Sequence, residues 1–393
     1  MGPFLLAFQE KIQKFWQRIL AVLSVAILSS VLAVSPASAQ FLSDGVTPVT
    51  PIPSNAVFRI AIAACVSEAP VTGVCPKYGD GSGYGDMENW DTSNVTDMSS
   101  AFASASISFN ADISEWNTSN VTDMSNMFYN AAAFNQNIGS WTTSGVTDMS
   151  FMFAGAVNFD QNINGWNTSN VTNMSAMFFR AAAFNQNLNS WNTSNVTDMS
   201  SMFESANAFN GDIKNWNTSN VTTFEFMFYD ATAFNQDIGG WITTSATSME
   251  ATFQDAVLFN QDLSQWNTAN VTVMDGLFKN TLFNHDISGW NVSSVTDMIG
   301  VFQNSPFNHD ISAWNVSNVQ FFDEMFSGNT AFDQEIRGWT ISNTASFVDM
   351  FTGATAFAAT YSGATGFGTT PIAGFFTLSS DATLANLSVA NSL

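Results

Sequence analysis

Positive charge is what this chain has least of: its 393 residues hold 9 Lys and Arg against 32 Asp and Glu, a formal charge of −23. A basic surface for the phosphates of nucleic acid is excluded. Histidine and cysteine are as scarce, with two of each. That leaves almost nothing from which to build a His-based catalytic triad or a zinc cluster. Charged residues of either sign make up only 10% of the chain, whereas 46% is hydrophobic, including 37 Phe and 12 Trp. So much apolar surface is incompatible with a disordered polyelectrolyte and requires a packed core.

Long apolar runs are missing too, with one exception. Lys11, Lys14 and Arg18 precede an uncharged run from Ile19 to Val34, and Ser35-Pro36-Ala37-Ser38-Ala39 then supplies small residues where a signal peptidase reads them. Residues 1–39 are expected to be a signal peptide cleaved after Ala39, because a run of 16 residues is short for a bilayer of about 30 Å. Cleavage removes three basic residues and Glu10 and leaves −25. The expected product is secreted or held at the cell surface, with no membrane span in the mature chain, and is repelled by anionic headgroups.

What is present is a repeat. Trp90, Trp116, Trp141, Trp166, Trp191, Trp216, Trp241, Trp266, Trp290, Trp314 and Trp339 follow one another at 24 to 26 residues, and a phenylalanine stands twelve residues after each, from Phe102 to Phe351. The eleven units read W-N-T-S-N-V-T-D-M-S-x-M-F-x-x-A-x-x-F-N-Q-D-I. A propeller blade needs four strands in about 40 residues, so a period of 25 points to a solenoid with one coil per repeat. Each position then becomes a column, with Trp, Val (Val121, Val146, Val171), Met (Met124, Met149, Met174), Phe and the Phe134/Ile138 type forming the core. Short strands are expected, best at F-N-Q-D-I, with a helical or 3₁₀ turn at M-S-x-M-F-x-x-A, where Met124, Met127, Phe128 and Ala131 stand three and four apart.

Residues Trp116–Ile138 and Trp191–Ile213 resemble, nearly position for position, the units of the BspA-type leucine-rich-repeat surface proteins, and most closely a branch of unknown function. The resemblance covers residues 90–357. It implies a right-handed solenoid of leucine-rich-repeat character, exported to the cell surface and associated with adhesion or protein binding. It carries over no catalytic residue.

The ends differ from the repeats. Residues 40–89 are expected to cap the first coil, with Ser54 as N-cap of a helix running through Val66, and with Cys65 and Cys75 joined as a disulfide worth about 3 kcal/mol. Residues 358–380, rich in Gly, Thr and Ala, read as a linker. Residues 381–393 resemble the opening strand of a cadherin-like β-sandwich domain, which here would be truncated.

Candidate binding-face columns are Asn135, Asn185 and Asn210, also suited to an amide ladder between coils, and Asp212, Asp237 and Asp262, part of a carboxylate column continued by Asp286 and Asp310. Asp97, Asp123, Asp148, Asp198 and Asp297 form another. Stacked carboxylates either bind divalent cations such as Ca²⁺ or cap turn amides, and the second reading is favoured. His285 and His309 stand one coil apart near Asp286 and Asp310, which would suit a transition metal, although drift from Gln explains them more simply. Thr118, Asn120 and Thr122, repeated as Thr168, Asn170, Thr172 and Thr193, Asn195, Thr197, could present a hydroxyl lattice to ice or crystalline polysaccharide. Asn120, Asn170, Asn195, Asn220 and Asn270 head Asn-Val-Thr glycosylation triplets.

No cofactor is implied, and no activity, since an active site needs unlike residues converging at one place. A non-enzymatic surface solenoid presenting an extended face to a protein or glycan is expected. A lattice binder and a Ca²⁺-loaded rod are the alternatives.

Overall fold

The computed structural model describes residues 50–75, 78, 82–103 and 108–377. The expected signal peptide and the cadherin-like segment lie outside them. Among the described residues no helix is long and apolar enough to cross a membrane.

Successive repeats stack in register. Ten isolated parallel bridges link one position of each repeat to the same position in the next, from Asp97↔Asp123 to Phe321↔Ser346. The phenylalanine column is continuous and buried from Phe102 to Phe351, with neighbouring rings 5.4 to 6.1 Å apart and no more than 20° from parallel. A second column, the Phe134 type, closes on it within each coil, as at Phe128 and Phe134, 3.9 Å apart. Offset aromatic pairs of this kind each contribute about 0.5–1.5 kcal/mol beyond area burial. The Trp, Val and Met columns complete the core.

Regular elements are fewer than the repeat suggests. The expected helical turn is instead a chain of hydrogen-bonded turns: Met127 and Ala131 donate to Met124 and Phe128 three residues back, while Asn126 and Asn130 donate to Ser150 and Ala154 of the next coil. Asn126 and Asn130 each have φ +58°. This alternation between bonds inside and outside the coil prevents a helix from propagating. The same two positions take positive φ in later coils too, filled by Gly276 and Gly328 at little cost but also by Phe151, Arg180 and Phe226.

The expected strand at F-N-Q-D-I is also absent, although its burial does alternate as a strand's would. Side chains take its backbone donors: the Asn135 N–H bonds Asn110 Oδ1 and the Gly139 N–H bonds Asn137 Oδ1. Few backbone groups remain there to pair with the neighbouring coil.

Both ends of the stack are covered. Helix α1, Asn55–Glu68, starts at Ser54, whose hydroxyl accepts from the Val57 N–H, and Cys65 is joined to Cys75. Asn55 Oδ1 accepts from the Thr96 N–H, and Arg59 donates to the Ser99 carbonyl and pairs with Asp97. In inner coils the preceding repeat makes equivalent bonds, for example Thr122 N–H to Thr96 O. Residues 358–377 are not a linker. Helix α2, Thr355–Tyr361, and the 3₁₀ turn Ala373–Phe376 fold over the last coil. Phe376 stacks on Trp339 at 6.3 Å and 10°, where the next tryptophan of the column would lie, and Thr369 O accepts from the Phe351 N–H. The reason is apolar: Phe375 and Phe376 are buried against an otherwise open aromatic end.

Candidate functional site

The asparagine column is a hydrogen-bonded ladder. Asn135 Oδ1 accepts from the Asp160 N–H and from Gln161 Nε2, both at 2.9 Å. Asn185 Oδ1 accepts from the Asn210 N–H at 2.8 Å, and Asn210 Oδ1 from the Asn235 N–H at 2.9 Å. The side chains are exposed, but their acceptors hold coil to coil.

The Asp212, Asp237 and Asp262 column does different work. Each Oδ1 accepts the N–H two residues on, at Lys214, Gly239 and Ser264, at 2.9 to 3.1 Å, as an Asx turn. The bond from Lys214 Nζ, 2.6 Å from Asp237, and the Gly239 N–H hold Asp237 below the usual carboxylate range. Bonds from Ser264 do the same for Asp262. In the other carboxylate column, Asp123, Asp148 and Asp198 accept the N–H of Ser125, Ser150 and Ser200. Repulsion along the stack is thus offset locally, residue by residue.

His285 and His309 each set Nε2 3.1 Å from a carbonyl of the preceding coil, Asn260 O and Asn284 O. A depression of about 470 Å³ is lined by Asp286, Ser288, Gly289, His309, Asp310 and Ala313. Among the described residues, no three His, Cys, Asp or Glu side chains come close enough to hold a metal ion.

The threonine lattice needs correction. Thr118, Thr168 and Thr193 are buried, and each hydroxyl donates to a carbonyl of the next coil. Only the Asn120 and Thr122 columns face outward.

A strip that motif reading passed over lies along the turn chain, where the repeats differ from one another. Its partly buried side chains include Tyr129, Phe151, Phe179, Glu204, Phe226 and Tyr229. The Arg180 guanidinium lies 4.8 Å from the centre of the Phe179 ring, and the Phe226 and Tyr229 rings meet edge to face at 5.9 Å. Burial pushes Glu204 up to about 6, with Asp230 adding to the effect and Ser201 and Arg180 opposing it. Arg180, Asp230 and Asp255 hold φ between +54° and +62°, a conformation that aspartate tolerates but that costs Arg180 about 1–2 kcal/mol. The signal available in the sequence was divergence itself: these positions change from coil to coil while their neighbours do not.

Residues 81–190, 158–266 and 247–364 each match the family described as Mycoplasma protein of unknown function, DUF285. The chain belongs to this family. The three overlapping DUF285 matches cover more than half of the chain and make it a repeat protein. No curated protein and no solved structure matches it. Phe179, Arg180, Glu204, Tyr229, Asp230 and Asp255 all fall within the second DUF285 match.

Proposed function

We propose that this DUF285 chain is an exported, non-enzymatic solenoid of the BspA-type leucine-rich-repeat kind, which binds a protein or glycan partner at the cell surface through its divergent strip. One observation carries this reading. The Trp, Phe, Val, Met and Asn columns repeat because stacking requires them, whereas the turn-chain positions hold unlike aromatic and charged residues in one partly buried row. Stacking does not explain Phe151, Arg180 and Phe226 at positive φ there, and exposed, unlike, partly apolar side chains are what partner recognition uses.

The test is a binding screen of the mature chain against extracellular protein and glycan arrays, repeated with Tyr229→Ala and Asp230→Lys. Saturable binding that both substitutions weaken at least tenfold, with binding retained in Asp262→Asn, supports the reading. Binding insensitive to the strip, or none on either array, overturns it.

A second reading has its own support. Thr122, Thr147, Thr172, Thr197, Thr222, Thr247, Thr272 and Thr296 all donate their hydroxyl to the preceding coil's threonine carbonyl at 3.1 to 3.2 Å. The exposed column therefore presents identically oriented groups, as a surface matched to ice or crystalline polysaccharide would. Thermal hysteresis that disappears in Thr172→Leu would put this reading first.

A further inference from the structure

Two kinds of Asn-x-Ser/Thr triplet recur in every few coils, and the fold treats them differently. In five triplets of the Asn-Val-Thr kind the asparagine amide already has an inter-coil partner: Asn120, Asn170, Asn195, Asn220 and Asn270 donate Nδ2 to a carbonyl of the preceding coil at 2.7 to 2.8 Å. The threonine hydroxyl of the same triplet is committed as well, as Thr122 is to Thr96 O. In the other kind, Asn-Thr-Ser or Asn-Val-Ser, the asparagine is the residue directly after tryptophan. Asn117, Asn167, Asn192, Asn217, Asn291 and Asn315 are exposed, and each uses Oδ1 to accept the N–H two residues on at 3.0 to 3.2 Å. Among the described residues their Nδ2 atoms have no hydrogen-bond partner. In two of them the serine hydroxyl of the triplet folds back onto its own asparagine, at 2.7 Å in Ser119–Asn117 and 2.8 Å in Ser317–Asn315. This leaves a free amide nitrogen beside the hydroxyl that an N-glycosylating enzyme reads.

We propose that these six asparagines form an acceptor column for N-linked sugar on the folded chain, and that the five Asn-Val-Thr asparagines with a bonded amide do not. The donor is a sugar diphosphate, either nucleotide- or lipid-linked. The bond between sugar C1 and the phosphate oxygen breaks, a C1–Nδ2 bond forms, the diphosphate departs with the bonding electron pair, and one Nδ2 proton passes to the enzyme's base. The Oδ1 bond survives the transfer, because it does not involve Nδ2. The six acceptors stand in six different coils at the same position of the repeat, so the sugars would line a single edge.

The test is to incubate the purified, folded chain with a soluble N-glycosyltransferase that accepts Asn-x-Ser/Thr and with its nucleotide sugar, and to map sugar mass by peptide mass spectrometry. The same reaction on the urea-unfolded chain, after dilution, supplies the preference set by the triplets alone. Expected is at least tenfold higher occupancy at Asn192 and Asn217 than at Asn195 and Asn220 in the folded chain, with that bias lost on unfolding. Ser194→Ala should abolish modification at Asn192, and Thr197→Ala should leave Asn192 unchanged. Equal or reversed occupancy in the folded chain would overturn the proposal, as would modification of the unfolded chain alone.

Discussion

The indole nitrogen of Trp191 donates to the carbonyl of Ile163, 3.0 Å away and 28 residues earlier, inside the buried core. The relationship recurs at Trp166 with Ile138 and at Trp216 with Leu188. Each tryptophan thus ties its coil to the one before it as well as filling the core. Trp191→Phe keeps an aromatic ring and removes one of the two bonds that the Ile163 carbonyl accepts, the other coming from the Trp166 N–H. The expected loss is about 0.5–1.5 kcal/mol, read as a lower urea midpoint at unchanged slope. Phe203→Ala, which empties a fully buried site stacked on Phe178 and Phe228, is expected to lose about 3–5 kcal/mol. Shifts near zero for both would mean these columns are not the core.

The asparagine ladder makes a chemical distinction. Asp160 already stands in it and accepts from the Asn185 N–H and Gln186 Nε2 at 2.9 and 2.8 Å. A carboxylate oxygen therefore suffices. Asn210→Asp should leave stability nearly unchanged, and Asn210→Ala should lower it by about 1 kcal/mol, because the Asn235 N–H loses its acceptor but remains near water. Equal losses in the two variants would show that the ladder is not what matters at this position.

How much of this was legible in the chain beforehand depends on the kind of interaction. Burial of Trp116, Phe128 and Met124 follows from the period, because like residues at one interval must stack. The conformation of Phe151 and Arg180 does not follow. Neither residue favours positive φ, and the bonds that impose it come from a neighbouring coil rather than from local preference. Thr118 and Thr122 look alike in sequence, yet one hydroxyl points into the stack and the other out of it. Residues 358–377 have the composition of a linker, and the only sign of a cap was Phe375-Phe376 after a run without large aromatics other than Phe367 and Tyr361. The divergent strip escaped notice because motif reading looks for what recurs.

Glu204 links stability to pH. Its folded pKa, about 6, lies above the ordinary value of 4.5, so the folded chain keeps this proton after the unfolded chain has released it. Stability from this group is therefore full below pH 4.5 and declines as pH rises to about 6, by about 2 kcal/mol in all. Glu204→Gln removes the penalty. It should melt higher than the parent at pH 7.5 and no higher at pH 4. A variant equally stabilised at both values would mean that Glu204 is not desolvated.

The claim on which the rest stands is that one repeat is one coil, held by columns in register. Deleting residues 191–215 brings Trp216 into the place of Trp191 behind Ser190 and removes one complete unit. Deleting residues 191–202 removes about half a unit and puts Phe203 where a tryptophan belongs. Urea unfolding followed by tryptophan fluorescence compares the two directly. The whole-unit deletion is expected to unfold in a single cooperative transition at a modestly lower midpoint, while the half-unit deletion loses native fluorescence or unfolds far earlier. Indistinguishable unfolding of the two deletions would contradict the register, and with it the assignment of columns and strip.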